Sequence, residues 1–435
     1  MKNLIDTLKN IWKIEELRNR ILTTLGFLLI YRLGSFVALP GIDPQQLGAL
    51  QNQTSDGLLG LLNMFTGGAF SQASIMALGI MPYISASIVI QLATMAVPYL
   101  QKLQKDGESG RTKISQITRY LTVLITCFQA PGYIANLKAT LPAEAFLLSS
   151  SSFWFSSIII LVTGTMFAMW LGEKITDSGI GNGISLLIMV GIIASLPQAF
   201  LFEVGRAKPL IILVELVIML IVILASVLLV QGVRRIPIQY AKRGATAQIA
   251  AARQYLPLKV NASGVMPIIF AQAIMFIPIT FAGLSDSEGV QNFVATFSDF
   301  SGFWYNFVFA ILIILFTYFY TAITVNTNQM ADDLKRNGGF VPGVKPGKDT
   351  AGFLDGVMSR IVLPGSVFLA LLAILPAFAM NAGINQSFAQ FFGGTSLLIM
   401  VGVVLDTLQQ VEGYLLNRHY DGLMKTGRLT GKSGM

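Results

Sequence analysis

The side chains of this chain that can do chemistry are few and scattered. One cysteine, Cys127, and one histidine, His419, stand among 435 residues. A single thiol in an apolar run forms no intrachain disulfide and no cysteine-based metal cluster; it reads as a small buried hydrophobe. The lone imidazole lies in a polar tail, where solvation rather than ligation is expected. The sequence has no phosphate-cradling glycine loop, nucleophile–base set or metal-ligand spacing. It is therefore expected to be no enzyme, with no catalytic residue, cofactor or metal. Three charged residues, Arg32, Glu215 and Asp406, fall inside apolar stretches. Such residues are costly there and often mark ion or proton pathways. Three isolated charges make no relay. Arg32 and Glu215 can snorkel to the outer interface, and Asp406 falls near the inner end of its span. For each, a structural role and a pathway role stand open.

The elements that must position these residues are apolar. The chain is 54% hydrophobic and 12% charged, against roughly a quarter charged in soluble domains. Runs such as LIILVELVIMLIVILASVLLV approach the roughly 20 residues that cross a bilayer as a helix. Short alternating strands of a membrane barrel are absent from the pattern. The predicted fold is all-α and polytopic, with ten transmembrane helices in two inverted five-helix halves. The spans are predicted at about 21–39, 74–97, 117–137, 153–172, 183–203, 209–231, 264–283, 303–325, 360–380 and 395–413. The first run lacks a small-residue cleavage motif behind it and is expected to be retained. Of the 30 Lys and Arg, 26 fall on one side of this arrangement and three (Lys138, Arg206 and Lys208) on the other. The basic side faces the cytoplasm, so both termini are expected there.

The predicted organisation is an amphipathic segment over 1–20, an N-terminal half over 21–205, a C-terminal half over 206–413 and a cytoplasmic tail over 414–435. In the first segment Leu4, Ile5, Leu8, Ile11 and Trp12 recur at helical spacing, as in a helix lying on a membrane surface.

One heptapeptide, SLLIMVG, occurs at 185–191 and again at 396–402, each time in the last span of its half. Five spans per half invert the second half. Equivalent points are then related by an axis in the membrane plane, as in many transport proteins, which place their pathway where the halves meet. The repeat pairs Ile188 with Ile399. Span two carries Ser85, Ala86, Ser87 and Gln91. Small and hydroxyl-bearing residues suit close helix packing, or a seam that can part. Before it, DGLLGLLNMFTGGAF holds an apolar core over 58–65, too short to cross and flanked by glycines, which reads as re-entrant or interfacial. The loops predicted at about 232–263 and 326–359 contain RRIPIQYAKR and KRNGGFVPGVKPGKD. Basic residues among Pro and Gly suit docking to RNA phosphates or to an acidic protein.

Six stretches carry a resemblance to a known family: GGAFSQASIMALGIMPYISASIVIQL, GESGRTKISQITRY, TGTMFAMWLGEKITDSGIGNGIS, LPLKVNASGVMPIIFA, FVPGVKPG and FGGTSLLI. Spread in the family's order over about 20–415, they resemble the bacterial SecY family of protein-conducting channels. The resemblance implies a central hourglass pore with an apolar waist at Ile80, Ile84, Ile184, Ile188, Ile269 and Ile399. It implies a plug over about 56–70, with Leu58, Leu59, Leu61, Leu62, Asn63, Met64 and Phe65. It implies a lateral gate at Ser85 and Gln91, through which apolar segments reach the lipid bilayer. Docking of a ribosome or a SecA motor ATPase would use Lys242, Arg243, Lys335, Arg336, Lys345 and Lys348. Small SecE-like and SecG-like membrane subunits would be partners, signal-sequence-bearing polypeptides the cargo, and the bacterial plasma (inner) membrane the location. Lys345 stands where the family pattern usually has arginine, which keeps the charge and loses the planar fork. The span 6–7 loop holds neutral residues where the family often has a further basic pair. A secondary solute transporter with inverted repeats is the alternative, and a membrane scaffold a third reading.

Overall fold

A chain segment removed from water must satisfy its own backbone N–H and C=O groups, and helices do this within a single segment. The computed structural model describes Trp12, residues 14–48, Leu50, residues 57–240, 254–275, Asp299 and residues 301–426. Each of the ten predicted spans holds a helix. Six helices among the described residues are long and apolar enough to cross a membrane, including Pro209–Gln231 at a mean hydropathy of 3.2. Of the predicted amphipathic segment only Trp12 and residues 14–20 are described; Leu4, Ile5, Leu8 and Ile11 lie outside, as do Lys242 and Arg243.

The chain divides into two compact units, one of residues 1–198 with 403–435 and one of residues 199–402. The first holds α1 (Glu15–Gly34), α2 (Gly57–Phe65), α3 (Met81–Ala96), α4 (Pro98–Lys105), α5 (Glu108–Thr140), α6 (Ser150–Ser178) and most of α7 (Gly183–Arg206). Helix α5 packs between α3 and α6, and α1 lies on α6. Its buried face reads Thr118, Thr122, Thr126, Ala130, Ile134 and Leu137. Each of the three threonine hydroxyls donates to the carbonyl four residues earlier, at 2.7–2.9 Å. The stripe is thus small and internally satisfied, which lets neighbours approach closely. Cys127, next along the chain from Thr126, faces outward and is exposed, not buried as expected. Helical rotation of about 100° per residue takes it off the packed stripe.

The predicted second span began at 74, but α3 begins at Met81. Residues 66–80 are turns, with Gly67, Gly68 and Gly79 at positive φ, and Pro82 opens the helix. Hydropathy does not separate an apolar turn from an apolar helix; glycine conformation and proline position do. Helices α5 and α6 run past their apolar cores into polar residues. There Arg119 forms a two-pronged ion pair with Glu173, at 3.1 and 2.7 Å.

The second unit contains α8 (Pro209–Gln231), β1 (Val233–Tyr240), β2 (Gln254–Lys259), α9 (Met266–Met275), α10 (Phe303–Thr324), α11 (Thr327–Arg336), β3 (Gly339–Phe340), α12 (Lys348–Asn381) and α13 (Gln386–Ala389). Helix α14 (Gly394–Thr426) begins in this unit and ends in the first. Helix α12 packs on α10 and α8. The stripe α8 buries is narrow: Glu215, Val222, Ser226 and Leu229. Most of the rest of this most apolar helix is exposed, as suits a face turned to lipid. The spans are helical as predicted, but the polar loops hold a three-stranded antiparallel sheet in the order β2–β1–β3. Ile236 and Ile238 alternate with exposed residues, and Ile236 points into a core with Leu258, Val341, Leu354 and Met358. Charge and Pro237 hide that short period-two pattern.

Glycines set the closest helix contacts in the first unit. A Cβ on Gly183 would lie 2.0 Å from the Gly172 carbonyl oxygen, and one on Gly164 would lie 2.0 Å from that of Ile75. Gly26 has nothing within 4 Å of such an atom. Gly183→Ala and Gly164→Ala are each expected to lower stability by about 1–3 kcal/mol through overpacking. Gly26→Ala, in an open helix position, is expected to be neutral or slightly stabilising. Thermal midpoints of the purified variants in detergent check this. Tyr133→Phe is expected to cost about 1–2 kcal/mol by the same measurement, because it strips a buried carbonyl of its donor; the Tyr133 hydroxyl donates to the Phe70 carbonyl at 2.8 Å.

Candidate functional site

Helix α2 is nine residues long, GLLGLLNMF, and too short to cross a bilayer. Of the residues expected to form the plug, Leu58, Leu59 and Leu61 take helical positions in it, Leu62 and Asn63 are half-buried, and Met64 and Phe65 are buried. Asp56, at the edge of the predicted segment, lies outside the described residues. The turn after α2 is held from many sides. Thr66 Oγ1 lies 3.1 Å from the carbonyls of Leu62 and Asn63 and accepts the Phe70 N–H at 3.2 Å. Asn63 accepts the Gly68 N–H on its carbonyl at 2.8 Å and the Ser71 N–H on Oδ1 at 3.0 Å. The Phe70 carbonyl receives the Tyr133 hydroxyl from α5. Residues 66–74 bury their irregular backbone inside protein, the one setting in which such backbone is tolerated away from water.

The repeat supplies one wall of this seat. Gly191 ends its first copy, and a Cβ there would lie 2.7 Å from the Phe65 carbonyl oxygen and 3.0 Å from the Gly67 nitrogen. Gly402 ends the second copy and meets only Val265 Cγ2, at 3.9 Å. The two copies share a sequence but differ in role. The first glycine admits a neighbouring backbone, and the second does not need to.

The six isoleucines expected at the waist share a placement. Ile80 caps α3 and Ile84 follows one turn later; Ile184 is the second residue of α7 and Ile188 follows one turn later. Ile269 lies in the first turn of α9 and Ile399 in the second turn of α14. All six therefore sit at helix starts. Ile80, Ile188 and Ile399 are buried, while Ile84, Ile184 and Ile269 are half-buried. The repeated segments occupy equal places, since Ile188 and Ile399 are each the sixth residue of a helix that opens with glycine.

The two residues expected at a lateral gate do not share a face of α3. Six positions along a helix turn through about 240°, so Ser85 and Gln91 point about 120° apart. Ser85 Oγ donates to its own helix, to the Met81 carbonyl at 3.2 Å. Gln91 instead donates to Ser87 Oγ at 3.2 Å, and Ile80, Ile84, Ser87 and Gln91 follow one face at spacings of four, three and four. Ser87, the partner of Gln91, therefore shares a face with it, and helical spacing carries the signal for that pairing.

Of the residues expected to dock a partner, Lys335 and Arg336 end α11, Lys345 lies in the turn after β3, and Lys348 opens α12; all four are exposed. The two long loops form one platform rather than two separate features. Strand β3 from one pairs with β1 from the other, Gln239 opposite Phe340 and Tyr240 opposite Gly339. Val341, in the same loop, is buried with Ile236 of β1, and Thr350 Oγ1 ties the base of the Lys345 turn by donating to its carbonyl at 2.8 Å. Helix α12 begins at Lys348, inside the region expected to be loop.

Two of the three charged residues singled out inside apolar stretches, Arg32 and Asp406, are clasps. Arg32 donates to the Gly67 carbonyl and lies over the Phe36 ring at 4.7 Å. Asp406 accepts from Gln410 at 3.4 Å, and Gln410 Oε1 accepts the Gly181 N–H at 2.9 Å, holding the turn between α6 and α7. Glu203, not singled out in the sequence, is buried and accepts the Asn385 N–H at 3.1 Å. Glu215 is buried with one carboxylate oxygen unpartnered. Among the described residues no group of three or more His, Cys, Asp or Glu is placed to hold a metal ion.

Residues 74–408 match the family model described as SecY. The Protein translocase subunit SecY of Escherichia coli (strain K12) is 42% identical over 428 residues, covering 96% of each chain. A solved structure of SecY, described for a plug domain that stabilises the closed state of the translocation channel and maintains a membrane seal, covers 92% of this chain. It is itself covered to 93%, at 18% identity and a TM-score of 0.62. Sec61 in the canine ribosome-channel complex from the endoplasmic reticulum covers 92% of this chain and is covered to 93%, at 15% identity and a TM-score of 0.56. At those identities the two structures speak for the fold alone, and it is the fold described above. The model match and the near full-length identity together carry the assignment: this chain belongs to the SecY family of protein-conducting channel subunits.

Proposed function

We propose that this chain, a multi-pass membrane channel subunit, passes unfolded secretory polypeptides across the bacterial plasma membrane and releases apolar segments into lipid through a lateral gate. Its reading as a gated conduit rests on one observation above the others. A short apolar helix is seated by the turn after it against α1, α5 and α7, through Arg32, Tyr133 and Gly191. An apolar segment too short to span, held by a few specific contacts, suits a removable stopper better than a structural span.

In this reading α2 and its turn, about 56–70, close the resting channel. Ile80, Ile84, Ile184, Ile188, Ile269 and Ile399 form the waist. Stiff β-branched side chains exclude water and ions while making no sequence-specific demand on a sliding chain. The face of α3 bearing Ser87 and Gln91, with Ser85 beside it, lines the seam through which a signal sequence leaves, driven by the preference of an apolar helix for lipid. The β1–β3 platform, with Lys335, Arg336, Lys345 and Lys348 and with Lys242 and Arg243 in the adjoining loop, docks a SecA-type motor or a ribosome. SecE-like and SecG-like small subunits complete the complex. The excess of basic residues on one side supports a cytoplasmic platform and cytoplasmic termini. The chain supplies no chemistry of its own. The relatives, named as translocase subunits, do not favour the solute-transporter alternative.

Photo-crosslinkers placed singly at positions 188 and 399 test the waist against a stalled secretory chain, with one at Leu220, on the exposed face of α8, as control. Crosslinks from 188 and 399, lost when the signal sequence is removed and absent from 220, are expected. Their absence while the stalled chain stays docked would overturn the pore assignment. Lys345→Glu is expected to slow motor-driven transport by about tenfold, because reversing a charge at an interface costs association rate and affinity together. Transport assayed in inverted vesicles at low and high salt checks this, and an unchanged rate at low salt would remove this turn from the docking surface.

A further inference from the structure

We infer that Arg32 is the latch that holds the plug seated, and that its bond to Gly67 sets how strong a signal sequence must be to open the channel. This rests on the plug reading above and adds to it the residue that carries the closed state.

Arg32 lies in the last turn of α1, beyond a long apolar run. Snorkelling would send its guanidinium to the interface. Instead Nη1 donates to the carbonyl of Gly67, in the turn that ends α2. Its planar face covers the Phe36 ring one helical turn away. Among the described residues no carboxylate pairs with it; the ion pairs there are Arg20–Glu16 and Arg119–Glu173. The charge is therefore answered by the plug's backbone and by an aromatic face beside its own helix.

The plug side is shaped to receive it. Gly67 has φ of +65°, which favours glycine, and a Cβ there would lie 2.9 Å from Arg32 Nη1 and 3.0 Å from Gly191 Cα. Gly67 is clamped between α1 and α7 with no room for a side chain. Its own N–H is used within the turn, to the Met64 carbonyl at 3.0 Å, so its carbonyl is the group left to face Arg32.

The other side-chain bonds of this turn, those of Thr66, Asn63 and Ser71, are internal to residues 62–71 and tie it to no other helix. The Arg32 bond is not internal: it joins the turn to α1, and it exists only while the plug is seated. A ligand or signal shifts an equilibrium only through interactions that differ between the two states. The Arg32–Gly67 bond is such an interaction, charge-assisted and partly shielded from water. Tyr133 makes a second external bond, to Phe70 farther along the turn, where Phe70, Ala73 and Ala77 belong to the packed core with Leu39, Ile134 and Phe153. That anchor belongs to the fixed end of the segment, and Arg32 to the end that leaves. A signal sequence that opens the channel must supply at least what this bond contributes.

The test uses the complete complex in sealed vesicles and reads two quantities: ion leak through the idle channel, and transport of a chain whose signal sequence carries one disrupting charge. Arg32→Met is expected to raise idle leak about tenfold and to admit the weakened signal, the population shift that loss of one charge-assisted bond produces. Arg32→Lys keeps a donor and is expected to restore most of the seal, within about threefold of the unaltered channel. Gly67→Ala displaces the same contact from the other side, so it reads the bond even if Arg32→Met fails to assemble. If both variants assemble, the pair combined is expected to leak no more than the worse single variant. Transport of a chain with an intact signal reports assembly. Assembled Arg32→Met or Gly67→Ala channels that seal normally and still reject the weakened signal would overturn the latch. Deletion of residues 58–65 separates the two levels. If the deletion leaks and the point variants do not, only the role of Arg32 falls. If the deletion also seals, the plug reading falls with it.

Discussion

Backbone removed from water has to find its hydrogen bonds within the protein, and the fold of the first unit follows from how it meets that demand at one irregular segment. Helices meet it by themselves. Residues 66–80 do not, because three glycines at positive φ break any helix there. The segment is stable only because its neighbours complete it: the Tyr133 hydroxyl on the Phe70 carbonyl, the guanidinium of Arg32 on Gly67, and Leu39, whose N–H reaches the Ala73 carbonyl at 2.8 Å. The same segment sets where α3 starts, and so where Ile80 and Ile84 lie. A displacement of the whole segment would carry Ile80 and Ile84, the residues expected at a waist, with it.

Close packing supplies the second condition. A hydroxyl costs little in an apolar helix when it bonds its own backbone, and Thr118, Thr122 and Thr126 do so along the buried face of α5. Glycines at 164, 172 and 183 then let α6 approach the segment before α3 and the start of α7. Ile184 rests where the Gly172 side chain would be, so the position of an expected waist residue depends on an absent methyl group. In the second unit Gly393 plays a matching part, since a Cβ there would lie 2.5 Å from the Leu372 carbonyl oxygen just before α14 begins. Each copy of the repeat therefore follows a glycine pressed onto the preceding long helix. That common local geometry accounts for the shared sequence better than any shared contact of the final glycines.

The platform shows the same economy outside the apolar region. Two loops far apart in sequence, each rich in charge, are joined by the β1–β3 pairing and by an apolar cluster beneath it. Joining them holds the exposed Lys335, Arg336, Lys345 and Lys348 on a folded surface rather than on free loops. Fixed placement of charge is what a docking surface needs, because loosely held charges give attraction without orientation.

The class of fold and the places of most spans are legible in the residues alone. Apolar run length and charge distribution are local, additive properties, and α8 falls on the predicted 209–231 without shift. The motifs sufficed to place the chain in its family. Packing of distant segments settled the features that local patterns do not encode. It turned 74–80 into the end of a caged turn rather than the start of a span, because apolar residues serve both and only the neighbouring donors distinguish them. It paired Gln91 with Ser87 and turned Ser85 to its own helix, a matter of facing direction that polar residue type does not convey. It converted Arg32 and Asp406 from isolated charges into clasps on backbone groups 35 and 225 residues away in the chain, the second acting through Gln410, and it revealed a third clasp in Glu203, on a backbone group 182 residues away. It also paired β1, whose alternation is masked by charge and proline, with the two-residue β3. Each of these outcomes depends on which distant backbone group lacks a partner, and that is settled only once the chain has folded.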